Sequence, residues 1–167
     1  MDFQNLIKER YSVRSYKSDP VPEEVLEAVL EAGRLAPTAA NRQGFTVYVI
    51  KTEGRKESLL KIYSREWFSQ APLVLAVCVN PSKCWVRMDN KNYSDVDAAI
   101  VMDHMILAAA DKGLGTCWIG AFNAEAAREV LGLTPDTEPV VFTPLGYATD
   151  NPKPKTRKQV SDLIRYL

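Results

Sequence analysis

The residues best suited to chemistry in this chain lie near its start, in the run RYSVRSY at positions 10–16. If that run is extended, side chains alternate from face to face, and Arg10, Ser12 and Arg14 share one face at steps of roughly 6.6 Å. Two guanidinium forks flanking a hydroxyl can surround a phosphate with charge-assisted hydrogen bonds. The same spacing also suits a solvated edge whose arginines pair with acids such as Glu23 and Glu27. A second basic cluster, TRK at 156–158, follows a proline-rich stretch and reads by itself as a solvated terminus.

Two other stretches hold suitable groups. In APTAANRQ, 36–43, small side chains let backbone approach a flat ligand, while Asn41 and Gln43 offer donors and acceptors. A tight helix–strand connection would look the same. GLGTCWIG, 113–120, is not a dinucleotide fingerprint. Trp118 stands where the third glycine is required, and the glycines leave a helix and enter a strand, the reverse of the required order. Gly120 instead ends a strand and can present a free backbone N–H beside the next helix start.

Composition narrows the classes. The 167 residues hold 21 Lys plus Arg against 21 Asp plus Glu, so no whole-protein charge draws the chain to nucleic acid or membrane. Apolar residues make up 46%, enough for a core of ordinary size. Asp2, Lys8, Glu9 and Arg10 interrupt the N-terminus before an apolar run forms, and no stretch of membrane-spanning length occurs. Cys78, Cys84 and Cys117 form no CxxC pair, so reduced thiols in a cytoplasmic protein are expected. His104 is the single histidine, which disfavours a metal site and reads as a core or interface residue.

Elements must position these groups. Helical spacing predicts a short helix over 2–9 and a second from Pro22, its acids in the first turn, weakened at Gly33 and stopped by Pro37. A β-rich run at 45–50 precedes a helix at 55–63. The continuously apolar run 73–79 predicts a central strand buried on both faces. After a loop at 80–94, a helix over 95–112 is polar mainly at Asp97, Asp103, His104 and Asp111, and so is expected to be buried around most of its circumference. Strands at 116–119 and 140–147 flank a helix at 124–131. Pro144 is expected to break the last strand and place it partly at an edge. The order predicts one α+β domain over 1–167 with a helix-covered mixed sheet.

Taken in order, RYSVRSY, the helix ending in RLAPTAANRQ, the long helix running into GLGTCWIGAF, and PLGYATDNPKPKTRK resemble the nitroreductase family of FMN-dependent oxidoreductases. The resemblance spans about residues 3–160 and implies a homodimer with FMN at its interface. Arg10, Ser12 and Arg14, with the intervening Tyr11, match the segment that holds the FMN phosphate and ribityl chain. Tyr11 and Val13 are expected to face the fold. Arg157 matches the late basic residue that closes on the phosphate, with Lys158 beside it. Pro37, Thr38, Ala39 and Asn41 match the loop that the partner subunit lays against the flavin ring. Ile119, Gly120 and Ala121 match the segment at the ring's reactive edge, with the Gly120 N–H as donor to flavin N5.

The activity so implied is ping-pong reduction of nitroaromatic, quinone or similar electron-poor acceptors by NADH or NADPH, with no acid–base triad because the flavin carries the redox chemistry. Dehalogenation or oxidation on the same fold, or an FMN-binding dimer without useful turnover, are the alternatives. Gly44 and Phe45 replace the family's usual Pro-Trp, and the short 80–94 loop leaves Trp85, Arg87 and Tyr93 as candidates to roof the acceptor pocket.

Overall fold

The computed structural model describes residues 2–167; Met1 lies outside them. Helix α1 (Phe3–Glu9) is capped by Asp2, which accepts from the Asn5 N–H at 3.1 Å. Helix α2 (Glu23–Arg34) starts after Pro22, which occupies the N-cap, and has Glu23 and Glu24 in its first turn. Next come β1 (Phe45–Lys51), α3 (Lys56–Ile62), β2 (Leu73–Val79), α4 (Ser94–Asp111), β3 (Gly115–Thr116), α5 (Ala124–Leu131), β4 (Glu138–Gly146) and a last turn, α6 (Val160–Leu163).

The sheet order is β1-β2-β4-β3, antiparallel at every named pair. The parallel component of the expected mixed sheet is confined to an isolated bridge between Ser12 and Thr116. Strand β2 is buried along its whole length because both faces are covered. Leu73, Leu75, Val77 and Val79 pack with Val101, Met102 and Met105 of α4, and Val29 of α2 joins the same core. Val74, Ala76 and Cys78 pack with Leu59, Ile62, Phe68, Ala127 and Phe142 on the other face. Gly33, expected to weaken α2, instead lets α2 close on α4: a Cβ there would lie 2.8 Å from Met105 Cγ.

Three expectations need correction. Strand β4 is unbroken at Pro144 and lies inside the sheet, between β2 and β3. The proline is tolerated because β3 is only two residues long. Beyond it, the Cys117 N–H donates to Thr143 Oγ1 at 2.9 Å and pairing resumes only at Ile119–Phe142, so no strand N–H is needed from position 144. The expected strand 116–119 is correspondingly reduced to β3 and that one bridge. Helix α4 is not buried all round. Val96, Asp103 and His104 are exposed and Ile100 and Leu107 half-buried along one face, so His104 is no core residue; its Nδ1 lies 3.0 Å from the Ile100 carbonyl. Among the described residues, no helix is long and apolar enough to cross a membrane, and no cluster of His, Cys, Asp and Glu could hold a metal.

Candidate functional site

The segment 12–17 is extended because it pairs with the far end of the sheet. The Val13 N–H donates to the Thr116 carbonyl at 2.9 Å and the Lys17 N–H to Tyr147 at 2.8 Å. Val13 is buried, as alternation requires, and Gly115 admits it: a Cβ at 115 would lie 2.7 Å from Val13 Cγ2. Tyr16 is also buried and donates its hydroxyl to the Val13 carbonyl at 2.8 Å; burial pushes that phenol well above its ordinary pKa.

The opposite face of this segment forms one wall of a cleft of about 710 Å³, lined by Arg10, Tyr11, Ser12 and Arg14 and closed by the tail through Arg157. Asp150 joins the two walls. Its Oδ2 accepts from the Arg14 backbone N–H at 2.8 Å, and its carbonyl and Oδ1 accept from Tyr11 Oη at 2.8 and 3.2 Å. Tyr11 therefore lies half-buried on the cleft wall; burial first, then Asp150, raises its pKa. Lys155 Nζ donates to the Ile7 carbonyl at 3.3 Å and to the Lys8 carbonyl, tying the tail to the end of α1. Partial burial, then the nearby Arg10 and Arg157, lower the Lys155 pKa.

The alternative of arginines paired at a solvated edge is not what forms. Among the described residues the side-chain ion pairs are Arg34–Glu31 and Arg87–Asp89. The Arg10, Arg14 and Arg157 guanidiniums have no carboxylate partner there. Arg14 donates to the Ser12 carbonyl at 3.3 Å and lies 6.0 Å from the Trp67 ring centroid, a cation–π contact. Unpaired cations converging on a walled cleft, with Asp150 already engaged at both oxygens, suit a phosphate. Beside Ser12, burial raises the pKa of the Cys117 thiol, while Arg14 and Ser12 oppose the rise.

Position 120 lies beyond the Ser12–Thr116 bridge, three residues past Cys117. Ile119 exchanges both backbone bonds with Phe142 at 2.9 and 3.1 Å, which fixes the chain there. Gly120 and Ala121 are exposed, and a Cβ at 120 would meet only Trp118 Nε1, at 4.0 Å. Among the described residues the Gly120 N–H has no protein acceptor. Lys158 is exposed and does not line the cleft.

The loop with Pro37, Thr38, Ala39 and Asn41 is not at this place. The Ala39 N–H donates to Asp97 Oδ1 at 2.8 Å, at the start of α4, whereas Arg10 shares a crevice with Ala110 and Gly113 at the end of α4. Asp97 and Ala110 are 13 residues apart on that helix, about 20 Å of rise. Residues 85–93 sit at the same end as the loop. Val86 and Asn92 bridge, Trp85 stacks edge-on against Tyr93 at 4.9 Å, and Arg87 donates to Asp89 and to Tyr93 Oη. The roof candidates are thus a braced hairpin far from their own chain's cleft.

Sequence reasoning missed Asp150, Lys155 and Trp67. Only TRK, 156–158, was singled out from the basic tail, and Asp150 gave no local signal.

An open cationic cleft at the edge of a helix-flanked antiparallel sheet defines an α+β protein whose N-terminal segment is suited to an anionic ligand. The chain belongs to the nitroreductase family, whose model matches residues 7–78 and 60–147. A solved nitroreductase family protein from Clostridium difficile is 37% identical, with a TM-score of 0.92 over 99% of this chain and 98% of that one. An FMN reductase [NAD(P)H] of Bacillus subtilis is 28% identical over 87% of this chain. A relative from Methanothermobacter thermautotrophicus, provisionally named NADH dehydrogenase/NAD(P)H nitroreductase, is 27% identical over 91%. The chain spans 66% of the Bacillus protein's length and 80% of the archaeal one's.

Proposed function

We propose that the chain is an FMN-dependent oxidoreductase acting as a homodimer, a single nitroreductase-like domain over 1–167. The observation that carries the reading is the cleft of unpaired cations leading, through the Ser12–Thr116 bridge, toward an unengaged N–H at Gly120. Arg10, Arg14 and Arg157 would hold the FMN phosphate, with Tyr11 and Ser12 lining the ribityl path. Ile119, Gly120 and Ala121 would border the ring, and the Gly120 N–H would donate toward N5, where fixed dipoles favour developing negative charge. Bound FMN would supply two-electron chemistry, taken from NADH or NADPH and passed, after the nicotinamide leaves, to a nitroaromatic, quinone or similar acceptor.

The distance between the 37–41 loop and its own chain's cleft supports the second copy. A two-fold axis crossing α4 sets two such helices antiparallel, and the start of one then lies beside the end of the other. Pro37, Thr38, Ala39 and Asn41 of one subunit would in that way border the cleft of its partner, and the Trp85–Tyr93 hairpin would cover it. The half-exposed Ile100 and Leu107 and exposed Val96 give α4 an apolar face for such contact.

The test is colour. Purified protein loaded with FMN should be yellow and should bleach anaerobically with NADH or NADPH, then recover on adding a nitro or quinone acceptor. Protein that neither carries nor takes up FMN defeats the proposal. Yellow protein inert to both nicotinamides favours a flavin-binding dimer without turnover, and recovery only with halogenated acceptors favours dehalogenation.

A further inference from the structure

Asp97 is a buried acid to which the chemistry above gives no task. It is 1% exposed, its Oδ1 accepts from the Ala39 N–H at 2.8 Å, and its Oδ2 has no partner. Burying a half-satisfied carboxylate is costly, and the packing of α4 does not need it, since Ala98, Val101 and Met102 fill the core beside it. What it holds is unusual backbone. Ala40, Asn41 and Gln43 have φ of 50, 53 and 52°, left-handed values that residues with a Cβ rarely adopt. Two lesser contacts act on the same loop: the Gln43 N–H donates to Thr38 Oγ1 at 3.1 Å, and Gln43 Nε2 donates to Asn41 Oδ1, also at 3.1 Å. The Asp97 bond is the one that anchors the loop to a long helix.

We infer that Asp97 is a positioning residue that fixes the 38–43 loop so that Asn41 meets the FMN of the opposite subunit. This rests on the flavin reading above. Asp97 touches no ligand of its own chain; it acts through Ala39 and across the dimer.

The experiment uses full-length dimer and FMN titration. Asp97→Ala should weaken FMN binding roughly ten- to a hundredfold, the scale of losing a hydrogen bond to a charged group. It should also alter the visible circular dichroism of what FMN remains. Asp97→Asn, which keeps an acceptor for Ala39, should restore most of the affinity. Because a core substitution can harm folding, Ala39→Pro removes the donor from the loop side. Thr38 already has the extended φ and ψ (−124, 154) that a following proline requires, and this variant should reproduce the Asp97→Ala loss of FMN affinity, while the carboxylate it leaves wholly unpaired lowers the melting temperature; in the double variant the two affinity losses should not add.

Subunit mixing then asks whether the effect crosses the dimer. In a heterodimer of Arg14→Ala and Asp97→Ala chains, a loop acting across the interface leaves one site wholly intact. Random exchange should therefore restore about a quarter of all sites to full affinity. Wild-type affinity in both Asp97→Ala and Ala39→Pro, or no recovery on mixing, overturns the inference. Wild-type protein that takes up no FMN overturns the flavin reading instead.

Discussion

Replacing Arg14 with Ala tests the anion cleft most directly, because the structure separates what this residue does for the fold from what it offers a ligand. Its backbone N–H, bound to Asp150 Oδ2 at 2.8 Å, survives the change. Its side chain is exposed, makes one 3.3 Å bond to the Ser12 carbonyl and rests on Trp67. Truncation therefore exposes no buried partner, and the melting temperature should move little. The ligand loses a charge-assisted hydrogen bond worth about 1.5–3 kcal/mol. Exposure favours the lower end, so the FMN dissociation constant should rise about tenfold. The loss should shrink with added salt, since an exposed charge is screened within about 10 Å at 0.1 M. Flavin fluorescence quenching gives the assay, with riboflavin as the control ligand because it lacks the phosphate. Arg14→Lys should recover part of the affinity, keeping the charge but not the fork. Equal losses for FMN and riboflavin, or no loss for FMN, would refute the phosphate assignment.

Three further outcomes are expected. Asp150→Asn keeps an acceptor for the Arg14 N–H and removes the one carboxylate in the cleft, so FMN should bind several-fold tighter, whereas Asp150→Ala should loosen both walls and weaken it; isothermal titration of the two variants reads the difference. Gly115→Ala forces a Cβ to within 2.7 Å of Val13 Cγ2 and should cost about 1–3 kcal/mol in denaturant unfolding, with FMN affinity falling as the 12–17 segment shifts. Burial pushes the Cys78 thiol up to about 12 and raises Cys84 and Cys117 as well, so native protein should resist thiol reagents at pH 8. The unfolded chain loses these protons near pH 9 while the native one keeps them; stability from this source is full below that pH and declines between about 9 and 12. Rapid labelling of all three thiols in native protein would contradict that burial.

How far the sequence led depended on the range over which each cause acts. β2 and α5 were legible to the residue because an unbroken apolar run and a 3.6-residue period are local signals. That Arg10, Ser12 and Arg14 share one cleft was legible from strand alternation, whereas the phosphate role rests on the family resemblance. Asp150 was not, since its task is set by Arg14, 136 residues away. Pro144 misled for the same reason. A proline argues for an edge only when a neighbouring strand needs its N–H, and here a side chain, Thr143 Oγ1, takes over the pairing. Asp97 was read merely as a polar position on a helix, because what buries it is a loop 58 residues earlier.

These cases share a direction. Each misread residue joins segments distant in sequence; Asp150 does so in the cleft, and Asp97 does so against the loop proposed to complete it. Residues that build a single element answer to local rules, whereas residues that assemble a site from the chain's two ends, or from two chains, answer to partners that no local window contains. The loop fixed by Asp97 and the unpaired guanidiniums of the cleft then share one property. In the proposed dimer both are held in place by one protomer and would find their remaining partners outside it, the loop at a second chain's flavin and the guanidiniums at an anion.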